Sequence, residues 1–235
     1  MMKKYLLTTL VSFCVLPIFA QQEVRQFSIL PRVGVNIANI SDMDVSMGTN
    51  LVKSSSKAGF TGGVEAEYQL SPSISASLAL FYSMQGCHYP DAESSGDKLR
   101  TGRSDNSIDV EYINVPLMGQ WYVGSGLALK AGFEAGFLLS ARQKYEEVSI
   151  TIDEDGRRTY GVPTTEELNL KDAFNAVNVY IPVGISYEYM NVVLDGRYHF
   201  PLSRALKANP MNERHRFFTF SIGCTLSNKS AQVQI

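Results

Sequence analysis

The stretch Val177-Asn178-Val179-Tyr180-Ile181-Pro182-Val183-Gly184-Ile185-Ser186-Tyr187-Glu188-Tyr189 alternates from end to end. Its odd positions carry Val177, Val179, Ile181, Val183, Ile185, Tyr187 and Tyr189. Its even positions carry Asn178, Tyr180, Pro182, Gly184, Ser186 and Glu188. A period of two is that of a β-strand, whose successive side chains leave on opposite faces. The same alternation recurs seven more times. The spans are about 28–40, 58–70, 74–86, 110–123, 127–140, 192–200 and 216–227, with this stretch at 176–189 as the sixth of eight.

The apolar face is explicit in each span. It carries Val33, Val35 and Ile37 in the first, and Phe60, Val64, Ala66, Tyr68 and Leu70 in the second. Leu78, Leu80 and Tyr82 mark the third, Ile113, Val115, Leu117 and Trp121 the fourth, and Phe133, Phe137 and Leu139 the fifth. Val192, Leu194, Tyr198 and Phe200 follow in the seventh. Phe218, Phe220, Ile222, Cys224 and Leu226 close the eighth.

The connections alternate short and long. Ser71-Pro72-Ser73, Gly124-Ser125-Gly126 and Met190-Asn191 are tight hairpin turns. The gaps at about 41–57, 87–109, 141–175 and 201–215 are long and polar. Tyr68, Trp121, Tyr187 and Tyr189 fall near the short-turn ends of apolar faces. Tyr82, Phe137, Tyr198, Phe200 and Phe218 fall toward the long-loop ends. Short turns at one end, long loops at the other and two aromatic belts together predict an all-β fold. The expected form is an eight-stranded antiparallel up-and-down transmembrane β-barrel.

Orientation follows from charge. The faces opposite the apolar ones carry Arg32, Glu65, Glu67, Lys130, Glu134, Glu188, Asp195, Arg197 and His199, interleaved with Gly and Ser. A charge facing hydrocarbon costs about 2–4 kcal/mol at the midplane, so these groups are expected inside. An eight-stranded barrel is just wide enough for side chains to fill it. The expectation is a lumenal charge network with a structural role. The alternative is a path for protons, ions or small solutes along the same residues.

The chain has 235 residues and a formal net charge of −2. Residues 1–20 carry Lys3 and Lys4, then an apolar run from Leu6 to Phe19, then Ala20. This reads as a signal peptide, leaving one barrel domain over 21–235 with both termini in the periplasm. The apolar run is shorter than the ~20 residues of a spanning helix. No basic stripe suggests nucleic acid. Cys87 and Cys224 have no metal-site or disulfide-framework spacing, and no disulfide, metal or cofactor is expected.

Two further clusters invite a site. Asp195 and His199 share a face, but four positions along a strand separate them by roughly 13 Å, too far to hydrogen-bond. No catalytic set is assigned. Asp153-Glu154-Asp155-Gly156 lacks the downstream ligands of a calcium loop. It reads as the turn of a hairpin between Val148–Ile152 and Arg157–Val162. Thr164 and Glu167 are spaced as a capping box, which predicts a short helical turn within 164–174.

A set of local motifs carries a family resemblance. They are Arg32-Val33-Gly34-Val35-Asn36, Gly59-Phe60, Leu80-Phe81-Tyr82-Ser83 with Gly86, Tyr112-Ile113-Asn114-Val115-Pro116-Leu117, and Lys130-Ala131-Gly132 to Leu138-Leu139. Gly184-Ile185-Ser186-Tyr187-Glu188, Asp195-Gly196-Arg197-Tyr198 and Phe220-Ser221-Ile222-Gly223 complete the set. Together they resemble the PorT-like outer-membrane β-barrel family of Bacteroidota, and the resemblance implies an eight-stranded barrel in a Gram-negative outer membrane and brings no shared catalytic or ligand residues. Asn228–Ile235, following the last strand, departs from the terminal aromatic of many barrels. The expected role is non-enzymatic: envelope-structural, adhesive or secretion-accessory. Its expected partners are outer-membrane lipid and an envelope or secretion-machinery protein. The alternative is a narrow porin or small-solute transporter.

Overall fold

The computed structural model describes residues 26–41, 45–47, 50–94, 99–124, 126–207 and 214–227. The leader expected at 1–20 and the tail at 228–235 lie outside the described residues. Eight long strands form the body. They are β1 (Phe27–Ser41), β2 (Ser55–Ser71), β3 (Ile74–His88), β4 (Leu99–Tyr122), β5 (Leu127–Ile152), β6 (Val177–Tyr189), β7 (Val192–Pro201) and β8 (Arg214–Cys224). Each pairs antiparallel with its neighbour in sequence. The ring closes where β8 returns to β1, with Val33 opposite Ile222 and Val35 opposite Phe220. Closure leaves no sheet edge within the barrel wall.

The two faces are sorted as the alternation predicts. Leu80, Phe133 and Phe220 point outward, each more than half exposed, whereas Glu65, Lys130 and Asp195 are buried inside. A soluble protein does not present a continuous apolar wall to water, so lipid is the medium that this surface fits. Cys87 is buried inside while Cys224 lies on the outer face. The Met190-Asn191 turn has φ of 47° and 70°. Both are positive, as the two-residue hairpin that follows strand twist requires.

Three of the four long connections are largely strand among the described residues, and in the first Val45–Met47 pairs with Asn50–Val52. β4 begins at Leu99 and β5 runs on to Ile152, so the two pair far past the lipid-facing belt, from Leu99 opposite Thr151 to Glu111 opposite Ser140. The hairpin predicted around Asp153–Gly156 is present. Ile150 pairs with Tyr160, and the Gly156 amide donates to the Asp153 carbonyl at 3.1 Å. The helical turn expected after Thr164 is not. Thr164–Asn169 is a strand paired with Arg142–Glu147, and the Thr164 hydroxyl donates to the Glu147 carbonyl. One isolated turn of helix satisfies few of its own backbone groups, whereas the waiting strand offers a ladder.

A bulge marks the change from barrel wall to projection. Tyr112 faces Leu138 and Glu111 faces Ser140, so Leu139 is an extra residue on β5. The extra residue shifts sidedness by one. Up to Leu139 the odd positions of β5 face outward, yet beyond it Ala141 and Tyr145 are buried.

Candidate functional site

The lumen is layered. Nearest the short turns, Glu67 accepts hydrogen bonds from the Ser75 and Tyr122 hydroxyls, each at 2.6 Å. Above it lies a cluster of five charges. Asp195 meets Arg32 at 2.9 Å, Lys130 at 3.1 Å and Arg197 at 2.7 Å. Glu65 meets Arg197 at 2.7 Å and Lys130 at 3.7 Å, and pairs with Arg32. Ser77 donates to Glu65 at 2.8 Å, and Ser221 accepts from Arg32 at 2.9 Å. All five side chains are almost wholly buried. Every cation therefore touches both carboxylates, which is the arrangement buried ions need to offset lost hydration.

Interior glycines make room for the cation stems. Arg32 lies between Gly63 on β2 and Gly223 on β8, and Gly184 lies between Lys130 and Arg197. A Cβ on Gly223 would come within 2.6 Å of the Arg32 Cγ, and one on Gly184 within 2.9 Å of the Arg197 Cγ.

The next layer joins Glu134 to Asn114 at 2.9 Å and to the His199 Nδ1 at 3.2 Å. The His199 ring stacks on Phe217 at 3.9 Å, and its Nε2 lies 3.1 Å from the Thr219 hydroxyl. Tyr180 meets Phe217 edge-on, and the Asn178 amide donates to the Tyr112 hydroxyl at 2.9 Å. A cavity of ≈ 20 Å³ lies between the charge cluster and this layer, room for about one water molecule.

The long-loop end is capped by apolar packing. Cys87, Tyr89, Ile108, Val110, Tyr112 and Ala141 form the wall of this cap. Phe174 and Ala205 fill it from the two segments that fold across the mouth. Those segments are pinned to each other, since the Asn175 amide donates to the Ala205 carbonyl and the Lys207 amide to the Ala173 carbonyl.

The sequence expectation for the lumen divides accordingly. Arg32, Glu65, Lys130, Asp195 and Arg197 converge in one cluster. Glu134 and His199 form a separate pair, and Glu67 a third group. Glu188 is half-buried near the short turns, where it accepts from the Thr225 hydroxyl at 2.7 Å. Asp195 and His199 do not meet. Asn36, Ser77, Asn114, Tyr122 and Thr219 complete the network and were not singled out from sequence. Their inward parity was the available signal. The Phe174 and Ala205 cap had none, because it is built from segments without alternation.

The family model described as "Outer membrane protein beta-barrel domain" matches residues 19–207. No curated protein matches significantly. Among solved structures, Ail, the attachment invasion locus protein of Yersinia pestis, is similar at 10% identity. The match covers 87% of this chain and 100% of Ail at a TM-score of 0.41. Neisserial surface protein A is similar at 14% identity, covering 85% and 96%, with a TM-score of 0.38. Acinetobacter baumannii CarO2 is similar at 12% identity, covering 87% and 100%, with a TM-score of 0.37. These are likenesses at low identity and low score.

Proposed function

Because the chain belongs to the outer membrane protein beta-barrel domain family, we propose that it is a closed, non-enzymatic barrel of the Gram-negative outer membrane whose work is done by its projecting sheet. The observation that carries this reading is the filled lumen. A charge cluster, a Glu134–His199 layer and an apolar cap lie in series along the barrel axis. Bulk water has little room beside them. Thr219, His199 and Glu134 lie within hydrogen-bond reach in nucleophile–base–acid order, but the Thr219 hydroxyl donates to Asn36 at 2.8 Å, and the charge cluster and the apolar cap close the three off from substrate. The long strands β4 and β5 instead extend the structure beyond the lipid belt.

We further place the chain in the PorT-like branch, with residues 1–20 removed on export and both ends of the mature chain in the periplasm. The projection then lies outside the cell. Its partner would be an envelope or secretion-machinery protein, and the role envelope-structural, adhesive or secretion-accessory. The test is conductance in planar lipid bilayers, where the purified protein should give no discrete channels. Reproducible channels whose ion selectivity changes on replacing Arg197, Glu134 or Lys130 would overturn it in favour of transport. A tag inserted at Gly156 should be labelled on intact cells by an impermeant reagent, and labelling only after lysis would reverse the topology.

A further inference from the structure

The projecting sheet ends in an open edge. Thr164–Asn169 pairs with Arg142–Glu147 on one side, and among the described residues no strand lies on its other side. All six of its residues are exposed. Its outward backbone amides and carbonyls thus offer a ladder about 20 Å long. The barrel wall has no such edge, because the ring closes.

Charge selects what that edge can receive. Glu166 and Glu167 sit at its centre. Consider a second copy of the same strand added antiparallel around its centre. Any two-fold register through the middle sets Glu166 or Glu167 against a glutamate of the copy, and like charges directly opposite are unfavourable. The edge is therefore built to reject itself. Glu167 has a partner in Arg142 at 3.3 Å, but that pair is more than half exposed. Glu166 has no ion-pair partner among the described residues. The hairpin between Ile150–Ile152 and Arg158–Tyr160 continues the same bias, since Asp153, Glu154 and Asp155 outnumber Arg157 at its tip and Arg158 is drawn aside to Glu93 at 3.2 Å. Among the described residues nothing apolar covers the edge, and Leu168 at 45% exposure offers a hydrophobic foothold beside the acids.

We propose that this edge captures an extended, basic polypeptide segment of another protein, which adds as one further strand beside Thr164–Asn169. The main chain supplies hydrogen bonds, and two successive Lys or Arg side chains, one on each face of the added strand, supply register against Glu166 and Glu167. The proposal rests on the reading that the projecting sheet is the working surface, and it names the partner that this surface fits.

The test uses the full protein folded in detergent micelles. The probes are a short Thr-rich peptide with a central Lys-Lys pair, the same peptide N-methylated at alternate amides, and its counterpart with a central Glu-Glu pair. Fluorescence anisotropy should show binding of the Lys peptide, weakened by about tenfold or more on N-methylation or on Lys-to-Glu exchange. The double variant Glu166→Lys with Glu167→Lys should reverse the preference between Lys and Glu peptides. These positions are exposed, so the barrel should still fold, which resistance to SDS before boiling and a changed gel mobility after it would report. Equal binding of the N-methylated peptide would reduce the contact to bulk electrostatics and overturn the strand-addition proposal. Absence of binding would overturn it, as would sedimentation showing a dimer broken by the same double variant. Failure of the display reading is separable. A Gly156 tag inaccessible on cells would sink that reading while leaving peptide binding by the purified protein intact.

Discussion

Replacing Glu65 with Gln should cost far more stability than replacing Arg197 with Met, although the two residues form one ion pair. The reason is the charge count of the cluster. Arg32, Lys130 and Arg197 give three positive charges, and Glu65 and Asp195 give two negative ones, so the sum is 3 − 2 = +1. Glu65→Gln leaves 3 − 1 = +2, with three buried cations on a single carboxylate. Arg197→Met leaves 2 − 2 = 0, with Arg32 and Lys130 still on Asp195 at 2.9 and 3.1 Å. Pairing alone would suggest that losing Arg197 strands Asp195, but the geometry gives that carboxylate two remaining partners. An uncompensated buried charge costs about 3–5 kcal/mol. A balanced cluster that loses one hydrogen-bonded cation should lose no more than about 2 kcal/mol. Urea unfolding in detergent, followed by the fluorescence of Trp121 and by gel mobility, measures both; Trp121 is the chain's single tryptophan. The double variant restores 2 − 1 = +1 and should be more stable than Glu65→Gln alone. Arg197→Met as damaging as Glu65→Gln, or no rescue in the double variant, would refute the charge-count argument.

Four further outcomes are expected. Gly223→Ala should destabilise by about 1–3 kcal/mol, because its Cβ would meet the Arg32 stem and the Pro31 carbonyl at 2.6 and 2.8 Å. Gly196→Ala on the outer face, whose nearest neighbour would be Phe218 at 3.5 Å, should leave the same melting curve close to wild type. Met190→Asn should stabilise by about 1 kcal/mol, since Met190 holds a left-handed φ of 47° that asparagine tolerates better; a lower melting temperature would contradict this. Phe174→Ala should cost about 3–5 kcal/mol by hollowing the cap, yet remain silent in planar bilayers because the ion layers beneath it are untouched.

The lumen shows how far local pattern reaches. Inward parity puts Arg32, Glu65, Lys130, Asp195 and Arg197 on the polar faces of their strands, because parity is a property of each strand alone. Their pairing was not legible. Arg197 and Glu65 are 132 positions apart, and which cation meets which acid depends on the stagger of eight strands around the ring. The separate fate of Glu188 has the same origin, since its height in the barrel follows from register. The capping-box reading of Thr164 and Glu167 failed for a related reason. Spacing of three is a helix signal only when no neighbouring strand competes, and the Arg142–Glu147 segment competes.

By itself the sequence determined the number of barrel strands, which face of each meets lipid, and which end of the barrel carries the long connections. All three follow from the two-residue period of a strand and from turn chemistry, both set within a few residues of chain. The tertiary structure alone decided that β4 and β5 continue as a projecting sheet, that one extra residue at Leu139 turns Ala141 and Tyr145 inward, and that Phe174 and Ala205 seal the mouth. Those features depend on what a distant segment offers as a partner. A strand persists past the membrane only where another strand satisfies its backbone, and a side chain becomes buried only where the closed ring has brought something to cover it.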